Sequence, residues 1–97
     1  MHFVYIIYSK KLNKFYIGET HDIDFRLERH NNNYYDNKWT KTGAPWVLFF
    51  EIECASKACA LKIEKHIKRM KSKKYIQNLK AYPEISFKLK QKYASDC

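Results

Sequence analysis

Tyr5 and Tyr16 stand eleven positions apart, followed by Arg26, His30 and, well downstream, Glu64. Together they offer a polarisable hydroxyl, a permanent cation, an imidazole that titrates near neutrality and a hard-metal carboxylate. A phosphodiester needs all of these: water must be oriented and deprotonated, and charge growing on the phosphoryl oxygens must be matched by fixed positive charge. A divalent ion held by a carboxylate supplies the rest of that charge. The set therefore points to hydrolysis of nucleic acid.

Short elements must bring these groups together. His2 to Tyr8 is rich in β-branched and aromatic residues and reads as a strand, Lys10 to Asn13 as a polar turn, and Lys14 to Gly18 as a returning strand. The antiparallel pair sets the two tyrosine segments side by side. Gly18, one of only two glycines, is expected to end the second strand where a side chain would obstruct a close approach or sharp exit. Asp22 caps a helix to about Asn31, with Ile23 and Leu27 as its buried stripe and Arg26 and His30 along the edge. Asn32 to Pro45 reads as a loop of about fourteen residues, of the length that is usually functional or mobile. Trp46 to Cys54 is a third strand. Ser56 caps a helix to about Met70 whose apolar face collects Cys59, Ala60, Ile63, Ile67 and Met70, with Glu64 beside it. Ser72 starts another helix through Tyr75, Ile76 and Leu79, and Pro83 precedes a last one over about Glu84 to Tyr93. The order β-β-α-β-α-α-α predicts an α+β fold, a small three-stranded antiparallel sheet flanked by helices.

The 97 residues, 45% hydrophobic and 16% aromatic, allow one modest core. One domain over 1–97 is expected, its core about 2–80 and a basic helical extension about 81–97. No segment nears the ~20 apolar residues of a membrane helix, so a protein with no membrane association, in the cytoplasm, is expected. Cys54, Cys59 and Cys97 are odd in number and lack paired spacing, which argues against a disulfide framework or a zinc site. Residues 1–55 hold seven basic and seven acidic side chains, whereas 56–97 hold twelve against three. The whole net charge of +9 thus lies in the C-terminal part, a field that attracts polyanions. Lys68, Lys71, Lys74 and Asn78 on those helices are candidate nucleic-acid contacts. Tyr34, Tyr35 and Trp39 are candidates to stack on bases.

The order and spacing of these residues resemble a stand-alone GIY-YIG nuclease domain of the small single-domain type found among uncharacterised bacterial proteins. Phe3-Val4-Tyr5 is similar to the first triplet and Tyr16-Ile17-Gly18 to the second. Thr20-x-Asp22-x-x-x-Arg26-x-x-x-His30-Asn31 resembles the motif that opens the next helix. Trp46 with its strand, and Ala60-x-x-x-Glu64-x-x-Ile67-Lys68, resemble the later part. The likeness runs from about residue 2 to about 80. It implies a three-stranded sheet among helices and one divalent ion, Mg2+ or Mn2+, held by Glu64. It also implies Arg26 stabilising the transition state, His30 relaying a proton or holding the phosphate, and Tyr16 or Tyr5 activating water, with Tyr16 favoured and Tyr5 as its partner.

Two departures stand out. Phe3 and Val4 replace the glycine and isoleucine of the first triplet. Glu19 stands where some relatives carry a lysine that helps activate a tyrosine. Each residue also has a plain structural alternative: packing for the tyrosines, i,i+4 pairs for Arg26 with Asp22 and Glu64 with Lys68, and a helix-dipole complement for His30. The expected function is a metal-dependent endonuclease acting on DNA with low or structure-based specificity. The alternatives are a nucleic-acid-binding module without catalysis, and an interaction domain of a repair or restriction assembly. The oligomeric state is open.

Overall fold

Strand β1 (His2–Ser9) is the centre of the molecule, because the sheet order is β2-β1-β3 with β2 spanning Lys14–Thr20 and β3 spanning Trp46–Cys54. Both neighbours run antiparallel to it. The computed structural model describes residues 1–31 and 42–94, with helices α1 (Ile23–Asn31), α2 (Lys57–Met70), α3 (Lys73–Ala81) and α4 (Pro83–Ala94). The α+β architecture and the element order are those expected from the sequence. Of the expected loop over 32–45, residues 32–41, and with them Tyr34, Tyr35 and Trp39, lie outside the described residues, and Thr42 and Gly43 are helical rather than loop. Cys97 also lies outside them, while Cys54 and Cys59 are buried.

A central strand covered on both faces must be apolar on both, and Val4, Tyr5, Ile6 and Ile7 are buried in succession. Val4 and Ile6 face the larger core with Ile17, Ile52, Ala60, Ile63, Ile67 and Leu79. Tyr5 and Ile7 face a smaller one with Ile23 and Trp46, and Tyr16 packs against it. Leu89 of α4 belongs to the larger core, so the last helix shares it. In β3 the pairing slips by one residue: Ile6 pairs Phe50 but Ile7 pairs Leu48. This bulge lets the adjacent Phe49 and Phe50 both pack on the larger core, which strict alternation forbids. Val47 and Leu48 are exposed, although the apolar run reads as continuous.

Caps set the helix starts where the sequence indicates. Asp22 Oδ1, Ser56 Oγ and Ser72 Oγ accept from the N–H groups of Phe25, Cys59 and Tyr75, each at 3.1 Å. Met70 does not join the buried stripe. It is 46% exposed, because α2 ends there and Lys71 turns into the left-handed region at φ 48°. Among the described residues no helix is long and apolar enough to cross a membrane.

Gly18 is not the end of β2, which runs two residues further, to Thr20. Its role is cross-strand. Gly18 pairs with Tyr5, and a Cβ on it would lie 2.5 Å from the Tyr5 hydroxyl oxygen and 2.6 Å from the carbon bearing it. The phenol ring therefore lies over the glycine, in space that any side chain would fill. Gly18→Ala is expected to push the Tyr5 ring out of this position and to cost about 1–3 kcal/mol in urea unfolding. A substitution that leaves the midpoint unchanged would show that the ring is not held there.

Candidate active site

Three elements converge on Tyr5. Its side chain leaves β1 on the smaller-core face and is 1% exposed. Its hydroxyl is joined to His30 Nε2 of α1 by a 3.1 Å hydrogen bond. Tyr16 on β2 points to the same face, because it pairs with Ile7 in the β1–β2 register. Its ring packs on His30 at 4.9 Å between centroids, on Tyr5 at 6.3 Å and edge-on to Trp46 at 6.3 Å. Tyr16 is the more accessible of the two phenols.

His30 does not lie along the edge of the helix stripe. It is 3% exposed and belongs to the buried face of α1, with Ile23. The sequence pattern placed it by its polarity, but the tyrosine hydroxyl at its ring makes burial tolerable. Burial first, and then the Arg26 guanidinium, lower its pKa from 6.5 to about 4. It is a neutral imidazole at neutral pH, so a charged complement to the helix dipole is not its role. Asn31, the next residue, donates from Nδ2 to Trp46 O at 2.9 Å and accepts from Trp46 N at its Oδ1. This two-way clasp pins the end of α1 to the start of β3, and so fixes where His30 sits. Polar composition marks Asn31 as a helix stop; its clasp on Trp46 depends on a contact fifteen positions away and has no local signal.

Glu64 approaches from the other side of the sheet. Thr20, Gly18 and Tyr16 share one face of edge strand β2, so Glu19 shares the other with Ile17, the face covered by α2. The Glu64 side chain is 17% exposed, with Lys68 Nζ 3.8 Å away. Its pKa is raised, first by burial; Lys68 opposes the rise, Glu19 adds to it and Arg26 opposes it. Arg26 is thus the cation felt by both His30 and Glu64. Glu19, one residue beyond the second triplet, accepts from His2 Nδ1 at 2.8 Å. The five residues expected to act together therefore gather around β2, with Tyr5, Tyr16 and His30 on one face and Glu64 at the other.

The remaining expected contacts divide. Lys68 adjoins Glu64 as the i,i+4 pair expected from the sequence. Lys71 lines a cleft at the end of α2. Lys74 is exposed and Asn78 half-buried on α3, and no hydrogen bond or ion pair ties either to the cluster. Among the described residues, no group of three or more His, Cys, Asp or Glu side chains could enclose an ion. Glu64 with Glu19 in electrostatic reach still fits a magnesium-like ion, which keeps its waters and takes phosphate oxygens as ligands. A carboxylate whose pKa is raised by burial and by a neighbouring carboxylate gains from a cation beside it.

The buried imidazole has a consequence for stability. In the native state His30 stays neutral until about pH 4, whereas in the unfolded chain it takes a proton near 6.5. Between those values the unfolded state binds more protons, so stability is intact above the window and falls as pH falls through it. His66, its pKa also lowered by burial, acts in the same direction. Between pH 7.5 and 5, urea unfolding should show a loss of roughly 2 kcal/mol that His30→Gln removes. Equal pH slopes in the two proteins would overturn the assignment of a buried neutral imidazole.

A family model for the GIY-YIG catalytic domain matches residues 1–77. The solution NMR structure of a UPF0213 protein from Bacillus halodurans is similar, with a TM-score of 0.51 and 29% identity over 82% of each chain. No curated protein gives a significant match. The matched segment contains both tyrosine triplets, the whole three-stranded sheet, Arg26, His30 and Glu64, and the chain belongs to the GIY-YIG catalytic domain family.

Proposed function

We propose that this chain is a metal-dependent endonuclease that hydrolyses phosphodiester bonds of DNA, acting in the cytoplasm as one domain over residues 1–97. The observation that supports it is the joint placement around edge strand β2: two phenols and a neutral imidazole in ring contact, and one guanidinium whose charge reaches both the imidazole and the Glu64 carboxylate. Packing alone would place the tyrosines here. It would not bring a half-buried acid and a shared arginine to the same strand.

Each residue then has a task set by its surroundings. Tyr16, the accessible phenol, orients the attacking water and receives its proton, for which a nearby cation must favour the phenolate. Tyr5 is a positioning residue: buried against Gly18, it holds His30 through Nε2. His30, neutral at pH 7 and buried, is able to accept a proton relayed through the Tyr5 hydroxyl. Arg26 matches the charge that grows on the phosphoryl oxygens as the water oxygen bonds to phosphorus and the ester oxygen leaves. Glu64 would hold Mg2+ or Mn2+, which when bound neutralises phosphate charge as a Lewis acid. Glu19 sets a second carboxyl in electrostatic reach of that position, and its hydrogen bond with His2 anchors it. The cation that a lysine at position 19 would bring to a tyrosine is here left to Arg26.

The test is a panel of duplex, flap, junction and single-stranded substrates incubated with magnesium, manganese or chelator. Wild type should give metal-dependent products, while Glu64→Ala should lose at least about a hundredfold in rate and keep its affinity for DNA. Binding without cleavage by wild type on every substrate would favour a binding module instead. Cleavage that survives Glu64→Ala would remove Glu64 from the mechanism.

A further inference from the structure

Away from the Glu64 cluster, a cleft of about 320 Å³ opens where the β1–β2 turn meets the joint between α2 and α3. It is lined by Lys14, Phe15, Lys71, Ser72, Lys73 and Ile76. Its three charged side chains are all lysines, from the start of β2, the residue that ends α2 and the first residue of α3. Among the described residues no acidic side chain lines it. Lys73 Nζ donates to the Asn13 carbonyl at 2.6 Å, so its ammonium is held at the cleft and ties the turn to α3. Lys71 has φ 48° and Asn13 φ 52°, the two non-glycine residues of positive φ among those described. A lysine at the residue after α2 costs more than the glycine usual there, and its side chain lines the cleft. Phe15 and Ile76 give the cleft an apolar wall of the kind that sugar and base faces pack on.

Its position relative to Glu64 is set by the helix. Glu64 and Lys68 are i and i+4 on α2, and Lys71 is the residue that follows the helix, seven positions after Glu64 and so about 10 Å from it along the axis. Strand β2 runs alongside, from Glu19 near Glu64 back to Lys14, five residues or about 17 Å away. Both elements lead from the acid to the same cleft. At about 3.4 Å per nucleotide along a duplex axis, 10–17 Å corresponds to about three to five nucleotides.

We propose that Lys14, Lys71 and Lys73 form a phosphate-binding subsite that takes the nucleic-acid backbone about three to five nucleotides from the phosphate at Glu64, with Lys68 between them. This rests on the reading of Glu64 as the site of cleavage. A strand seated in both places crosses the molecule along β2, so the subsite fixes the direction of the bound strand and the shortest substrate that is held well.

The experiment measures binding by fluorescence anisotropy in the Glu64→Ala background, where cleavage plays no part, with DNA oligonucleotides of two to twelve nucleotides, single-stranded and duplex. The triple variant Lys14→Gln, Lys71→Gln, Lys73→Gln should lose about tenfold or more in affinity for the long oligonucleotides and little for the shortest. It should also reduce the magnitude of the salt slope by about one to two, given about 0.9 per phosphate neutralised. A control triple at Lys57, Lys88 and Lys90, exposed and outside the cleft, removes the same charge and should have a much smaller effect. The triple Lys→Arg variant, which keeps the charge, should bind as the parent does and shows that the loss is not one of folding. Equal losses in the cleft and control triples, or losses equal at every length, would overturn the subsite. So would inorganic phosphate shifting the NMR signals of the cleft while oligonucleotide affinity stays unchanged in the triple variant. If DNA is bound through the cleft but never cut by the wild type, the proposed endonuclease reading fails and the subsite stands as part of a binding surface.

Discussion

The buried hydrogen bond between Tyr5 and His30 is the constraint on which the rest of the cluster depends. It joins the central strand to α1, and it exists because Gly18 leaves room for the phenol ring. A tyrosine hydroxyl and an imidazole with so little exposure are costly to bury apart, and the bond between them offsets part of that cost. Tyr16 packs on the imidazole so positioned, and Arg26, one helical turn before it, carries its charge toward Glu64. The Asn31 clasp on Trp46 fixes the same end of that helix. Geometry at the cluster is thus set by this bond together with packing in the smaller core.

Much of this was legible in the sequence, for physical reasons that can be named. Alternating apolar residues, a polar turn and serine or aspartate caps are local signals, and β1, α1, α2 and α3 start where those signals place them. The two-sided burial of β1 is visible in the unbroken run Val4 to Ile7. What local pattern could not convey was the partner of each polar group. Gly18 looks like a strand end because glycine is a poor strand residue; its real partner is Tyr5, thirteen positions back and reached through register. His30 looks like an edge residue because imidazole is polar; it is buried because a phenol awaits it. Met70 fits the apolar stripe by spacing, but the helix stops before the core covers it.

Charge shows the same division between local and spatial information. The C-terminal excess of lysine is plain in the chain, yet only folding separates lysines that lie along the Glu64 stripe from those on α4. Glu19 is the clearest case. By type it is an acid where a base helps some relatives, whereas in space it is one of two carboxylates that influence each other, and it is anchored by the histidine at the second residue of the chain.

Because β2 is an edge strand, its two faces are completed by different helices, α1 on one and α2 on the other. Neither the hairpin nor either helix carries the constellation alone; Tyr5 and Glu64 flank β2 from opposite faces only when both layers have docked. A nascent or denatured chain therefore holds every one of these groups without their arrangement, so the cluster and the tertiary structure form together.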